Sequence, residues 1–291
     1  MSDFLEQVIA ERRADAAKAK ARVPESKLAE PPRRSVRLPP FGGQSLTEWP
    51  RRLFRQDRFG DGFSLALRQS RADARFAVIA EVKRRSPALG SLGETVDVAT
   101  LARSYAAAGA TAISVLTEPR HWGGSIEDLV AVREAVDIPI LCKDVIVDDY
   151  QLAEARSAGA DAVLLIAEAL DDASLRRLVD RARELRLGLL VEAHEPAAFG
   201  RAVSTGADVV GINARNLRRP AEIDIGRVRQ LHAFARPEQV LVAESGITSI
   251  DDARMLPARV DAVLIGTALM RADDPGPLIQ SIASIRRAVH A

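Results

Sequence analysis

The sequence predicts an α/β fold: a (β/α)8 TIM barrel with an extra N-terminal helix and an irregular segment ahead of it. Short apolar runs recur eight times from Ala77 onward, amphipathic stretches separate them, and a Gly-Ala tetrad stands before three of the runs. Apolar runs bounded by Gly, Pro, Asp or Ser are the pattern of parallel strands covered on both faces. Strand-helix units in this number, at short repeat distance, close into a barrel more readily than they form an open sheet. A doubly wound sheet would want a glycine-rich turn after its first strand, and Glu81-Val82-Lys83-Arg84-Arg85 is not one.

Residues 3–21 read as a helix with Phe4, Leu5, Val8 and Ile9 on one side and charges on the rest. Residues 23–62 change character: Pro24, Pro31, Pro32, Pro39, Pro40 and Pro50 alternate with arginines, and Gly42, Gly43 and Gly60 break any period. Short helices are expected near Trp49 and Phe63. Arg33, Arg34, Arg37, Arg51 and Arg52 form either a solvated face or an anion patch, with the solvated face preferred. Residues 1–62 are thus expected to be an extension packed on a catalytic barrel of residues 63–291. The strand runs are Ala77–Val82, Ala112–Leu116, Pro139–Leu141, Ala162–Ile166, Leu187–Val191, Val209–Ile212, Val240–Val242 and Ala262–Ile265. Helices are expected between them, as at Val96–Ala108, Ser125–Val136, Ala173–Leu185 and Ile225–Ala235. Gly109, Gly159 and Gly206 open the three tetrads, where a helix end wants a left-handed cap just before the next strand.

A chain of 291 residues, 47% of them hydrophobic, is long enough to fill one large core. Its 41 basic and 40 acidic residues leave a net charge of +1, which predicts no special attraction to nucleic acid or membrane. One cysteine, Cys142, rules out an internal disulfide framework and fits a reducing compartment. No apolar run reaches the roughly 18 residues of a membrane span, and no signal-peptide core is present. The expectation is a soluble, cytoplasmic monomer.

Active sites of this barrel class sit at the C-terminal strand ends. Reading each run to its end gives Glu81 and Lys83, Lys143 with Asp144, Glu192, Asn213, and Glu244 with Ser245. Side chains alternate along a strand, so Glu81 and Lys83 share a face while Val82 takes the other. The same parity sets Lys143 with Leu141, Glu192 with Leu190, Asn213 with Gly211 and Glu244 with Val242, and turns Cys142 toward the helices. One choice of face therefore gathers two lysines and three glutamates into one mouth, a set suited to proton transfer. Any one of them alone would read as a surface ion pair; their convergence favours function. The last two loops, Glu244-Ser245-Gly246-Ile247 and Gly266-Thr267-Ala268, stand where such barrels grip phosphate. Their glycines let backbone N–H groups approach an anion. His121, His194, His232 and His290 lack metal-ligand spacing, so no metal site is expected. His194 either borders the mouth or serves as a structural hydrogen bonder, the latter being preferred.

Read with their neighbours, these residues resemble the indole-3-glycerol phosphate synthase family. The matching segments are Ile79-Ala80-Glu81-Val82-Lys83-Arg84-Arg85-Ser86-Pro87, Ser114 to Glu118, Trp122 to Ser125, Pro139 to Asp144, Tyr150 to Ile166, Gly211 to Leu217, Ala243 to Ile247 and Leu264 to Met270. The resemblance runs from about Phe63 to the C-terminus, and the leading helix suits the family's extra helix. It implies ring closure of 1-(2-carboxyphenylamino)-1-deoxyribulose 5-phosphate, a phosphosugar substrate, with loss of CO2 and water and no cofactor. It further implies Lys143 as general acid at the sugar carbonyl, with Glu81, Lys83 and Glu192 sharing later proton transfers. Asn213 would orient Glu81 and the substrate, and Glu244 would be a further active-site carboxylate. Ser86 and Arg215 match the residues that meet the anthranilate carboxylate. Lys83, Ser245, Gly246, Gly266 and Thr267 match the phosphate grip, and Pro87, Leu116, Trp122, Leu164 and Leu217 the apolar aryl wall. The sequence departs from the family pattern at Val145 and Trp122, where phenylalanines are usual, at Ala88-Leu89-Gly90, and at Asn216, usually aspartate. Trp122 is expected to fill the volume that Val145 leaves. Another phosphosugar barrel, such as phosphoribosylanthranilate isomerase, lacks the Glu81/Lys83/Lys143 combination. A silent phosphosugar-binding barrel conflicts with the retained acid-base set. A paralogue acting on a modified anthranilate-derived substrate stays open.

Overall fold

The computed structural model describes residues 3–28, 62–93 and 95–287. Eight parallel strands close into one barrel: β1 (Ala77–Val82), β2 (Ala112–Leu116), β3 (Ile140–Lys143), β4 (Ala162–Ile166), β5 (Gly188–Ala193), β6 (Val209–Asn213), β7 (Val240–Glu244) and β8 (Ala262–Ile265). Each pairs with its sequence neighbour, and β8 returns to β1 in the register Ala77↔Ala262 to Ala80↔Ile265. Every residue of β1, β2, β4, β6, β7 and β8 is buried, which explains their continuous apolar reading.

Four strands run further than their apolar cores suggested. β3, β5, β6 and β7 take in Lys143, Glu192, Asn213 and Glu244, which lie past the ends of the apolar runs. A charged or polar residue ordinarily marks a strand boundary because burying it costs energy; here each has a partner, Glu192, Asn213 and Glu244 buried and Lys143 half-buried, so the ladder continues. The three tetrad glycines hold left-handed backbone, with φ of +94° at Gly109 and Gly159 and +70° at Gly206. A side chain at those positions would strain the turn that swings the chain from helix into strand.

The outer helices start on side-chain caps. Asp97 caps α3 (Val98–Ala107), Ser125 caps α4 (Ile126–Ala135), and Asp148 with Gln151 forms a capping box on α5 (Asp149–Ser157). α6 (Asp172–Glu184) is capped by Asp171, while α7 (Pro196–Ser204) opens on a proline. The helix expected over Ile225–Ala235 is shorter, α8 (Gly226–Leu231) followed by a 3-10 turn. α9 (Ile250–Arg254), α10 (Thr267–Arg271) and α11 (Gly276–Ala283) complete the ring. No helix among the described residues is long and apolar enough to cross a membrane.

Two further helices close the barrel. The helix read near Phe63 is α2 (Gly62–Ala72); it buries Phe63 and Leu67, contacts β1, β5 and β7, and ties to the barrel's N-terminal end through Arg68–Asp208. The N-terminal helix is α1 (Phe4–Arg22), capped by Asp3. It lies against the opposite end, burying Leu5 and Val8, and is pinned by pairs far apart in sequence: Arg12–Asp144, Asp15–Arg120, Glu11–His121, Lys20–Asp148 and Asp3–Arg218. After it, a 3-10 turn at Glu25–Lys27 is described. Trp49 and the candidate anion patch of Arg33, Arg34, Arg37, Arg51 and Arg52 lie outside the described residues. Cys142 faces the helices as parity required, 3.4 Å from Thr117 Oγ1; burial and nearby Asp144 push its thiol up to about 12, so it stays an unreactive packing group.

Candidate active site

The C-terminal mouth of the barrel brings the charged strand ends together. Lys83 Nζ lies 2.6 Å from Glu81 Oε1. Lys143 Nζ lies 2.7 Å from Glu244 Oε2 and 3.2 Å from Glu192 Oε2. Asn213 Nδ2 donates to Glu192 Oε1 at 3.2 Å, and Asn213 Oδ1 accepts from Ser245 Oγ and from the Arg215 N–H, both at 2.9 Å. The parity argument therefore holds on all five strands concerned. Gly211, opposite Glu192 in register, shows why it must: a Cβ there would fall 2.3 Å from Glu244 Oε1.

Three carboxylates face two ammonium groups in this mouth, and Glu81, Glu192 and Glu244 are at most 4% exposed. Burial alone would favour the neutral form of each. For Lys143 that push is outweighed by Glu192, Glu244 and Glu81, which hold its pKa well above the ordinary lysine value and keep it protonated. For Glu81 burial is again the largest influence, but Lys83, Lys143 and Arg215 overcome it and hold the carboxyl below its usual range. Glu244 goes the other way: burial and the adjoining Glu192 raise it well above the carboxylate range despite Lys143. One carboxyl can therefore carry a proton without stranding a cation, and Glu244 is the group placed to do so. Neighbours pushed apart in this way are the arrangement acid-base chemistry requires.

These groups wall a cavity of about 260 Å³. Of the residues singled out from sequence, Glu81, Lys83, Leu116, Trp122, Lys143, Leu164, Glu192, Asn213, Arg215, Leu217, Ser245, Gly246, Gly266 and Thr267 line it. Glu244 does not; it meets the cavity through Lys143. Ser86 and Pro87 are also absent from the wall. Ser86 is drawn into a two-residue hairpin of Arg85–Ser86 against Gly90–Ser91, and the loop presents Leu89 instead. Val145 and Trp122 both line the cavity, as the expected volume exchange requires. No periodicity or motif shows that α1 reaches it, yet Phe4 and Leu5 are part of the wall, and Phe4 packs edge-on to Trp122 with ring centroids 6.0 Å apart. Arg271, the last residue of α10, also lines the cavity without any signal in the sequence pattern.

Arg215 sits between these features. Its guanidinium donates to the Pro220 carbonyl, and burial lowers its pKa with only Glu81 opposing. Among the described residues it forms no ion pair, which leaves a half-buried cation facing the cavity. One grouping escaped sequence spacing: Glu11, Glu118 and His121 place ligand-type atoms within 4.8 Å of one another. Each already has partners. Glu118 accepts the N–H groups of Arg120, His121 and Trp122, and His121 pairs with Glu11 at 2.7 Å. The group thus fixes the loop carrying Trp122 and ties it to α1.

The two glycine loops converge at one side of the same cavity. Ser245 and Gly246 follow one another in left-handed backbone, φ +67° and +77°, and Gly266 caps α10. Gly266 has a second constraint: a Cβ would stand 2.2 Å from Glu81 Oε1 and 2.9 Å from Lys83 Nζ. A Gly266→Ala change is therefore expected to displace the Glu81–Lys83 pair. Turnover should fall about 100-fold, the scale of an ångström-level misplacement, with a stability loss of about 1–3 kcal/mol. Steady-state rates and melting curves check this, and near-normal turnover would show that the pair need not stand where it does.

A closed (β/α)8 barrel that gathers paired carboxyls and lysines, apolar side chains and two glycine loops around one cavity defines a barrel enzyme of the acid-base type. Comparison with known proteins narrows that class. Residues 45–282 match the family model described as indole-3-glycerol phosphate synthase. A Nocardioides protein of that name is 55% identical over 212 residues, covering 72% of this chain and 80% of its own length. One from Kineococcus radiotolerans is 45% identical over 232 residues, covering 79% and 84%. Among solved structures, the tryptophan synthase alpha subunit of Legionella pneumophila shares the fold at 13% identity, with a TM-score of 0.58 over 76% of this chain and 97% of its own. The chain belongs to the indole-3-glycerol phosphate synthase family, carboxy-lyases of tryptophan biosynthesis.

Proposed function

We propose that residues 63–291 form the catalytic barrel, residues 1–62 its extension, and that the mouth closes the indole ring of 1-(2-carboxyphenylamino)-1-deoxyribulose 5-phosphate. The observation that carries this is the Lys143 ammonium, held protonated in the cavity wall between Glu192 and Glu244. Ring closure needs a proton at the sugar carbonyl as the carboxyl-bearing ring carbon attacks it, and Lys143 Nζ–H supplies it as general acid. Loss of CO2 from that carbon returns the bonding electrons to the ring. Dehydration then needs one group to protonate the leaving hydroxyl and another to take a proton from the neighbouring carbon, roles for Lys83 with Glu81 and for Glu192. Glu244 holds Lys143, and Asn213 orients the substrate and Glu192, to which its amide donates, rather than the expected Glu81. The sequence is redox-neutral, so these groups suffice without a cofactor.

Substrate recognition follows the cavity's polarity. Lys83 with the backbone of Ser245, Gly246, Gly266 and Thr267 receives the phosphate. Leu116, Trp122, Leu164 and Leu217, joined by Phe4, Leu89 and Val145, hold the aryl ring. Arg215 takes the ring carboxylate; Ser86 and Pro87 join it only if the 85–91 hairpin shifts. We read the protein as a cytoplasmic monomer.

Purified protein is expected to consume this substrate and yield a product with indole fluorescence. Plain and ring-substituted substrates assayed side by side test the reading. Turnover of a substituted ring alone would point to the modified-anthranilate alternative, and binding without turnover of any of them to a silent binding barrel.

A further inference from the structure

β5 ends at Ala193, and α7 opens three residues later on Pro196. Pro196 has no N–H, and the N-cap residue Glu195 makes no side-chain cap bond. The amide hydrogens at this turn therefore need an acceptor from elsewhere. Glu168, in the 3-10 turn Ala167–Ala169 after β4, provides it: its Oε1 accepts from His194 N at 2.7 Å and from Glu195 N at 2.8 Å. Glu168 Oε2 is buried with no hydrogen-bond partner among the described residues, so main-chain amides, those of Glu195 and His194 foremost, are what hold this carboxyl in place.

The His194 side chain turns to the next strand. Its Nδ1 lies 2.8 Å from the main-chain oxygen of Asn213, an acceptor, so Nδ1 carries the hydrogen. Asn213 in turn donates from its side chain to Glu192, which stands two residues before His194. The contacts close a ring: Glu168 to the β5 end, His194 to the β6 main chain, Asn213 to Glu192. Neither Glu168 nor His194 lines the cavity.

We propose that Glu168 and His194 are positioning residues for the ring closure, setting where Glu192 and Asn213 stand relative to the Lys143 ammonium. This rests on the reaction proposed above. Glu168 acts as a hydrogen-bond acceptor and His194 as a donor; neither exchanges a proton with substrate. Removing either frees the β5 end by a fraction of an ångström, enough to lengthen the Glu192–Lys143 and Glu192–Asn213 contacts while leaving the binding surface intact.

Glu168→Ala and His194→Ala are expected to lower kcat about 10- to 100-fold, with KM within roughly twofold of the parent value, the split that marks lost transition-state alignment. Glu168→Gln keeps an acceptor oxygen of the same reach, and His194→Asn keeps a donor near the Nδ1 position. Both should return kcat to within about threefold of the parent. A purely structural role would lower melting temperature but leave kcat per folded molecule unchanged, and that result overturns the proposal. So does a Gln variant as slow as the Ala variant, which would make charge the operative property. Should Glu168→Ala not fold, the His194 pair of variants decides by the same comparison. Parent protein is assayed alongside: an inactive parent sinks the reaction itself, whereas alanine variants as fast as an active parent sink only the positioning role.

Discussion

Lys143→Ala is expected to lower kcat by about 10²- to 10⁴-fold, the range a positioned general acid contributes. Among the described residues Lys143 is the one cation paired with both Glu192 and Glu244, and its half-buried ammonium stands in the cavity wall. Its loss removes the proposed proton donor and also leaves Glu192 and Glu244 without their ion-pair partner, so the variant should take up a proton among these carboxyls. Arginine at 143 is not a neutral exchange, because a rigid planar fork cannot fit between two carboxylates spaced for a point charge. KM should move far less than kcat, since the aryl wall and the phosphate loops do not involve this side chain. Circular dichroism establishes that the variant folds, and fluorescence at product wavelengths measures the rate. A Lys143→Ala rate within tenfold of the parent would take this residue out of the chemistry.

Arg12→Ala should produce the largest loss of stability. Arg12 Nε and Nη2 reach Asp144 Oδ1 and Oδ2 at 2.8 and 2.7 Å, and both residues are buried, 8% and 6% exposed. Burial presses the guanidinium toward losing its proton, but Asp144 more than compensates and raises its pKa. Thr117 Oγ1 and the Val145 N–H also donate to Asp144. Truncating Arg12 leaves a buried carboxylate with two hydrogen bonds and no counter-charge, at a cost of about 3–5 kcal/mol. The melting temperature should fall by roughly 10 °C. The same change loosens α1, which carries Phe4 and Leu5 into the cavity wall, so KM should rise while kcat at saturation holds. A melting temperature within a degree or two of the parent would mean that the pair contributes little.

Much of the barrel and its mouth was legible because both depend on short periods. Alternation along a strand decides which side chains face inward, and Glu81, Lys83, Lys143, Glu192, Asn213 and Glu244 obey it without knowledge of the tertiary structure. The exact strand ends were not legible. Lys143 and Glu244 look like boundaries until their pairing is known, and that pairing joins residues 101 positions apart. The docking of α1 was hidden for the same reason: its apolar face is visible, but the partner of Arg12 lies 132 residues away. The approach of Gly266 to Glu81 appears only when β8 closes on β1, and the hairpin that withdraws Ser86 involves residues too few to show a period.

The chemistry and the recognition surface are attached to the chain in different ways. The proposed reacting groups are the last residues of strands in a closed ladder, or within a residue of one, where hydrogen bonds to both neighbours hold the main chain. The proposed aryl wall keeps only Leu116 and Leu164 on the ladder and adds Phe4 and Leu5 of the leading helix and Leu89 and Trp122 of connecting loops, which lie outside it. Exchanging those outer pieces can retune which ring is accepted while the proton-transfer apparatus stays in place. The molecule is thus built for modular change, with a fixed engine and a replaceable glove.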